Sequence, residues 1–221
     1  MVFAADAADQ YDQARRLMVQ RDLMGRDIAD NQVLAAMGRV PRHLFVPPSS
    51  EEQAYNDHPL PIGYGVTISQ PYIVALMTQA AGVKPGQRVL EVGTGSGYQA
   101  AILATLTDKV YSIELIPELA RSAGERLARL GYGHVQVKSG DGYLGWPEFA
   151  PFDAIIVTAA APEIPPALKD QLKDGGRLVI PVGPTHGPQY LMRLTRQGNI
   201  FQEEMLTPVA FVPLVKPKMS Q

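Results

Sequence analysis

The chain has 221 residues, no cysteine, 20 Lys plus Arg against 22 Asp plus Glu, and a formal net charge of -2. The missing thiols exclude disulfides, thiolate metal sites and a cysteine nucleophile, and the charge balance lacks the basic excess of a chain held on nucleic acid by counterion release. With 46% apolar and 19% charged residues, the composition suits one globular domain with a sizeable core, and no apolar run approaches the ~18 residues of a membrane span.

The first nine residues lack a basic n-region and a full apolar h-region, so they are not an intact signal peptide. Their alanines leave two readings, a trimmed remnant and a plain frayed terminus. Ala14, Leu17, Met18 and Met24 recur at helical spacing over residues 11–24, and Asp30 is placed to cap a second helix carrying Val33, Leu34 and Met37. Residues 39–48 are too rich in proline for helix. Residues 59–71 read as a loop or short edge strands. Pro71 then opens a helix with Ile73, Val74, Met77 and Ala81 on one face.

Near residue 84 the pattern changes to β-branched apolar runs alternating with helical stretches, the mark of βαβ units. Strands are predicted over residues 88–92, 109–113, 134–138, 153–157 and 177–182. Helices are predicted from the glycine turn to about Leu106, from Pro117 to near Gly131, and from about Ile164 to Leu172, the last ending on Gly175-Gly176. Residues 190–195 and 200–206 alternate around Gln197-Gly198-Asn199, an antiparallel edge hairpin. Residues 211–214 are a last extended piece. The fold class is therefore α/β: a doubly wound, mostly parallel seven-stranded sheet of Rossmann-like course, with an antiparallel edge hairpin and an N-terminal helical extension. Residues 1–83 contribute to a substrate crevice, and residues 84–221 form the cofactor-binding core.

Glu91-Val92-Gly93-Thr94-Gly95-Ser96-Gly97 joins the first core strand to a helix. Its glycines permit a tight turn and close approach of a ligand, and the strand end opens a crevice where α/β sheets bind ligands. Glu114 ends the next strand, where a carboxylate can accept from both ribose hydroxyls of an adenosine group. The alternative, a solvated strand end beside glycines that only turn the chain, does not explain why the two occur in register. A dinucleotide fingerprint wants its third glycine where Tyr98 stands, and no Gly-Lys-Ser/Thr of a phosphate loop occurs. Glu91 would also repel a pyrophosphate. A cofactor with an ammonium group and no phosphate fits, and S-adenosylmethionine is one.

Glu91-x-Gly93-x-Gly95-x-Gly97 resembles the first motif of the class I S-adenosylmethionine-dependent methyltransferases. With residues 39–47, Thr67-Ile68-Ser69-Gln70-Pro71-Tyr72, Gly140-Asp141-Gly142, and residues 151–161 and 172–184, the chain resembles the protein-L-isoaspartate O-methyltransferase family from about residue 13 to 215. Thr67 to Pro71 is far more specific to that family than the glycine turn. The resemblance implies transfer of a methyl group from S-adenosylmethionine to the free α-carboxylate of L-isoaspartyl residues in damaged peptides and proteins, which begins repair through a succinimide. It implies a cytoplasmic monomer without nucleic-acid or membrane partners. It implies that Ser69 is catalytic and that Thr67, Ile68 and Gln70 line the site beside the cofactor. Glu91, Val92, Gly93, Thr94, Gly95, Ser96 and Gly97 would hold the cofactor's methionine part, Glu114 and Leu115 its ribose, and Asp141 with Gly142 its adenine. Val215 stands where some members carry a polar residue, so no tail contact is implied.

An isoaspartyl carboxylate is already ionised at neutral pH, so the chemistry needs positioning more than a general base. The Ser69 hydroxyl can orient that carboxylate at the start of the helix opened by Pro71, whose free N–H groups favour an anion. The competing reading is that Ser69 only caps this helix. His43, His58, His134 and His186 have no metal-ligand spacing. A hydrolase triad built on Ser69 and His43 lacks the nucleophile elbow, which Gly95-Ser96-Gly97 mimics only in part; Ser96 reads as backbone lining. Trp146 reads as packing. Arg15, Arg16, Arg21 and Arg26, among Asp12, Asp22 and Asp27, read as a solvated helix face. His58, Tyr64 and Tyr72 flank the site and are open to peptide contact. The rival functions are a methyltransferase of small molecules or RNA, a cofactor-binding module without turnover, and a dehydrogenase. Residues 157–162 offer no donor pair for an amine, and the glycine spacing disfavours the dehydrogenase.

Overall fold

The computed structural model describes residues 3–217; the two readings of residues 1–9 therefore fall partly outside it. Helix α1 (Phe3–Met18) continues into a π-helical turn over Val19–Met24, in which the Gly25 N–H donates to the Gln20 carbonyl at 3.1 Å. Helical spacing predicts a plain α-helix here. The turn is wider because Met18 and Leu23, five residues apart, are both buried, and π-type bonding brings such residues closer to one face. Helix α2 (Asn31–Arg39) starts where the Asp30 side chain accepts from the N–H groups of Gln32 and Val33, the expected cap. The proline-rich stretch holds only 3-10 turns, at Arg42–Phe45 and Pro48–Gln53. Strands β1 (Leu60–Gly63) and β2 (Val66–Ile68) pair antiparallel as a separate ribbon. Helix α3 (Pro71–Ala81) follows, opened by its proline and closed by Gly82 in the left-handed region.

The remaining strands are β3 (Arg88–Val92), β4 (Lys109–Glu114), β5 (Gln136–Ser139), β6 (Phe152–Val157), β7 (Leu172–Val182), β8 (Gln189–Gln197) and β9 (Ile200–Val209). They form one sheet in the order β5-β4-β3-β6-β7-β8-β9. The first five run parallel; β8 and β9 are the antiparallel edge hairpin. Period-two alternation sorts the strand side chains onto two faces. Val89, Ala154, Ile156 and Val179 join a cluster with α3, α4 (Tyr98–Ala104) and α5 (Pro117–Arg129), whereas Leu90, Ile155, Leu178 and Ile180 join a second cluster with Leu168 of α6 (Pro166–Asp170). The first cluster also takes in Met18, Leu23 and Met37, so the helical lead and the sheet share one core across residue 84.

One expected helix end is corrected. Helix α6 stops at Asp170, and Gly175-Gly176 lie inside β7. Leu172 already pairs with Phe152, and the register then jumps so that Ala154 meets Arg177. The glycines serve that bulge: Gly175 has φ 76°, and a Cβ on Gly176 would approach the Asp153 carbonyl oxygen to 3.0 Å. Strand order reverses at β3, whose neighbours are β4 and β6. At such a switch point the carboxyl ends of the strands open into a ligand crevice.

Candidate active site

Three cavities adjoin at the carboxyl ends of β3 and β6, and Thr67 and Thr158 line all of them. The first lies between the glycine turn, the end of β4 and the C-terminal segment. Val92, Gly93, Gly95, Glu114, Leu115 and Gly142 line it from the core, and Val212 to Val215 close it from the tail. Gly93, at φ 101°, is required: a Cβ there would stand 2.3 Å from Thr158 Oγ1, which donates to the Gly93 carbonyl at 2.7 Å. Glu114 is buried, and its two oxygens accept from the N–H groups of Gly95 (2.8 Å) and Ile116 (3.0 Å). An ionised carboxylate has about four lone-pair sites, so Glu114 can fix the turn and still accept from a ligand's hydroxyls. Two expected residues stand apart from the lining. Asp141 caps the short 3-10 turn Gly142–Leu144 by accepting from the Tyr143 N–H at 2.9 Å, and Gly97 faces Leu127 and Ala123 of α5.

The second cavity is small and polar. Ile68, Ser69, Glu91, Thr94, Ser96 and Gln99 line it. Glu91 is fully buried; Ser112 donates to one of its oxygens, and Thr94 lies 2.6 Å from the Ser112 hydroxyl. The other Glu91 oxygen, Oε1, has no hydrogen-bond partner among the described residues, and neither has Gln99 Oε1. Burial pushes the Glu91 carboxyl up to about 8, against the pull of the Ser112 hydroxyl, with the help of the Glu114 charge, and against the Ala100 N–H, which points towards the carboxyl without completing a hydrogen bond of normal geometry to Oε1. Ser96 accepts from the Tyr98 N–H at 3.2 Å, so its hydroxyl steadies the first turn of α4 in addition to lining the cavity. Two buried side-chain oxygens without partners, both on residues that line this cavity, suit a donor-rich cation such as the ammonium of S-adenosylmethionine.

The third cavity is lined by Ser69, Gln70, Ile73 and residues 208–212. Ser69 thus borders both the second and the third. It does not cap α3: the N-cap residue is Gln70, without a side-chain cap bond. The α3 N-terminus is served instead by Asp57, which accepts from the Tyr72 N–H at 2.9 Å, the Gln70 amide at 2.7 Å and Arg26 at 3.1 Å. An anion therefore already sits where the sequence suggested a free helix end. Gln70 faces this outer cavity and borders neither of the others. Tyr72 is buried, with its hydroxyl on Asp27; Tyr64 is exposed at the β1–β2 turn; His58 turns its ring onto the Pro59 carbonyl.

Asp57, Thr158, Gln99 and the tail escaped the sequence reading. Thr158 had a usable signal, since it directly follows β6 at the ligand-binding end of the sheet. Asp57 had none, because its partners lie in other segments. The tail is pinned by Ala160, which donates to the Val212 carbonyl (2.8 Å) and accepts from the Leu214 N–H (2.7 Å), and by the Tyr143 hydroxyl on the Leu214 carbonyl (3.1 Å). Val215 lines the first cavity, a place for the tail that the sequence had left open. Among the described residues no group of three or more His, Asp or Glu is placed to hold a metal ion, and no helix is long and apolar enough to cross a membrane.

Residues 13–219 match the family described as protein-L-isoaspartate(D-aspartate) O-methyltransferase. The protein-L-isoaspartate O-methyltransferase of Opitutus terrae is 57% identical over 204 residues, 92% of this chain and 88% of that one. A solved protein-L-isoaspartate O-methyltransferase superposes with a TM-score of 0.80 at 28% identity, over 92% of this chain and 65% of that chain. A putative member from Plasmodium falciparum, in complex with S-adenosyl-L-homocysteine, also superposes with a TM-score of 0.80, at 30% identity over 92% of this chain and 99% of that one.

Proposed function

The chain belongs to the protein-L-isoaspartate(D-aspartate) O-methyltransferase family, and from that premise we propose how its residues divide the work. The enzyme methylates the free α-carboxylate of L-isoaspartyl residues in peptides and proteins. S-adenosylmethionine supplies the methyl group from its sulfonium centre. The first cavity takes the adenosine: Glu114 and Leu115 hold the ribose, Gly142 and the tail border the adenine, and Asp141 shapes the turn that carries Gly142. The second cavity takes the amino-acid end, with Glu91 facing the ammonium and the backbone of residues 92–97 around it. The third receives the isoaspartyl side chain.

Ser69 borders the second and third cavities at once, and this observation carries the proposal. A hydroxyl at that junction can donate to the acceptor carboxylate and hold one oxygen in line for attack. Thr67 and Thr158 wall the same junction. No base is needed, because the acceptor arrives ionised. Alignment of acceptor oxygen, methyl carbon and sulfur is what the chain contributes.

Replacing Ser69 by Ala removes one hydrogen bond to a charged group and should lower kcat/KM about 10- to 100-fold, with S-adenosylhomocysteine binding unchanged. Labelled-methyl transfer to isoaspartyl and aspartyl versions of one peptide reads the first, calorimetry the second. Undiminished transfer by Ser69→Ala, or equal labelling of both peptides, rejects the assignment. A cytoplasmic monomer that uses neither nucleic acid nor membrane completes the proposal. The net charge of -2 supports independence from nucleic acid, and sedimentation of the purified chain tests the monomer.

A further inference from the structure

Gln99 is the second residue of α4 and is buried. A chain of hydrogen bonds from α3 fixes which way its amide points. The buried Thr78 hydroxyl donates its single proton to the Val74 carbonyl at 2.7 Å, so towards Gln99 it can only accept. The group that meets it at 2.9 Å is therefore the Gln99 NH2, and the Gln99 carbonyl oxygen is the end left without a partner. Glu91 Oε1 is in the same condition, and both side chains line the second cavity. The nearby hydroxyls of Thr94 and Ser112 are already engaged, with each other and with Glu91.

Unpaired buried acceptors are costly, and two in one cavity mark a place short of donors. The cavity volume is about 30 Å³, room for one small polar group. A primary ammonium presents three donors and a positive charge. A glutamine beside Glu91 adds a second acceptor without adding a second negative charge to repel the first. A water molecule is the competing occupant, but it would be indifferent to which ligand lies next door.

We propose that Gln99 determines specificity for the amino-acid end of the cofactor, its carbonyl oxygen accepting from the α-ammonium group alongside Glu91. This rests on the reading of the second cavity given above. Thr78 acts through Gln99 as a positioning residue.

Calorimetric titration with three ligands tests it: S-adenosylhomocysteine, its desamino analogue, and 5′-methylthioadenosine, which lacks the whole amino-acid end. The Gln99→Met variant should bind S-adenosylhomocysteine about 10- to 100-fold more weakly, while its affinity for the two ligands without ammonium stays within about twofold of wild type. Thr78→Val, which frees the amide to turn, should show the same ligand-specific loss to a smaller degree, and it carries the test if Gln99→Met does not fold. Equal weakening of all three ligands, or no change for S-adenosylhomocysteine, overturns the proposal. A wild-type protein that binds none of the three overturns instead the cofactor reading beneath it.

Discussion

Glu91 has no exposed surface, one oxygen on Ser112 and the other without a partner. Burial, with a contribution from the Glu114 charge and against the Ser112 hydroxyl, pushes its carboxyl up to about 8. At neutral pH Glu91 of the folded chain therefore holds a proton that the unfolded chain, with an ordinary carboxyl pKa near 4.3, does not. Between those two values the folded state binds more protons than the unfolded one, so stability from this group is full at low pH and falls as pH rises towards 8. An ammonium reverses the preference, because it favours the ionised carboxylate. S-adenosylhomocysteine should thus bind more tightly as pH rises from 6 to 8, and at pH 7 its binding should release close to one proton. Calorimetry in two buffers of different ionisation enthalpy measures that proton. 5′-Methylthioadenosine, with no ammonium, should release none; an equal release by both ligands would detach the effect from Glu91.

At the scale of elements, α3 is positioned by a side chain far from it in sequence. Asp57 takes the Tyr72 N–H, the Gln70 amide and Arg26, so it joins the end of α3 to the loop before β1 and to the segment after the π turn. The Arg26 pair is partly exposed and adds little; the bond to the helix N–H is the stronger contribution. Asp57→Ala should cost about 0.5–2 kcal/mol in denaturant unfolding. Because Gln70 lines the third cavity, proposed to receive the isoaspartyl side chain, the same variant should raise KM for an isoaspartyl peptide while the affinity for S-adenosylhomocysteine holds. A loss confined to stability would leave Asp57 as a cap alone. The contrast with Asp30 explains what the sequence could tell. Asp30 caps a helix two and three residues away, and local spacing suffices to read it. Asp57 works through loop geometry that no periodicity encodes. The glycine turn, the strands on either side of it and the edge hairpin were legible for the same local reason: each is written in contiguous residues. The bulge at Gly175-Gly176 was misread because a glycine pair after a helical pattern is also how helices end. Only the pairing of Leu172 with Phe152 tells the two apart. The tail contact at Val215 and the orphaned oxygen of Gln99 depend on segments that meet only in the fold.

Over the whole molecule the decisive feature is the apolar cluster that ignores the compositional boundary near residue 84. Met18, Leu23 and Met37 of the lead belong to the same cluster as Ile102 of α4 and Ala154 and Val179 of the sheet. Met37 has no exposed surface, and its sulfur lies 3.9 Å from the hydroxyl of Tyr98, the first residue after the glycine turn. Truncating it would open a cavity and leave that buried hydroxyl without its neighbour. Met37→Ala should therefore cost about 2–5 kcal/mol, a fall in Tm of roughly 4–20 °C for a chain of this size. The sheet's other face supplies an independent reporter. Trp146, the single tryptophan, packs against Phe149 and Tyr111 in the second cluster, across the sheet from the substitution. If lead and core form one cooperative unit, the unfolding curve from Trp146 fluorescence should shift with Met37→Ala by the same amount as the helical signal in far-ultraviolet circular dichroism, and the two curves should coincide. A helical transition that moves alone, with the tryptophan signal unshifted, would separate the lead from the core. The crevice wall built by Thr67 to Gln70 would then belong to a segment able to melt away from the glycine turn it faces.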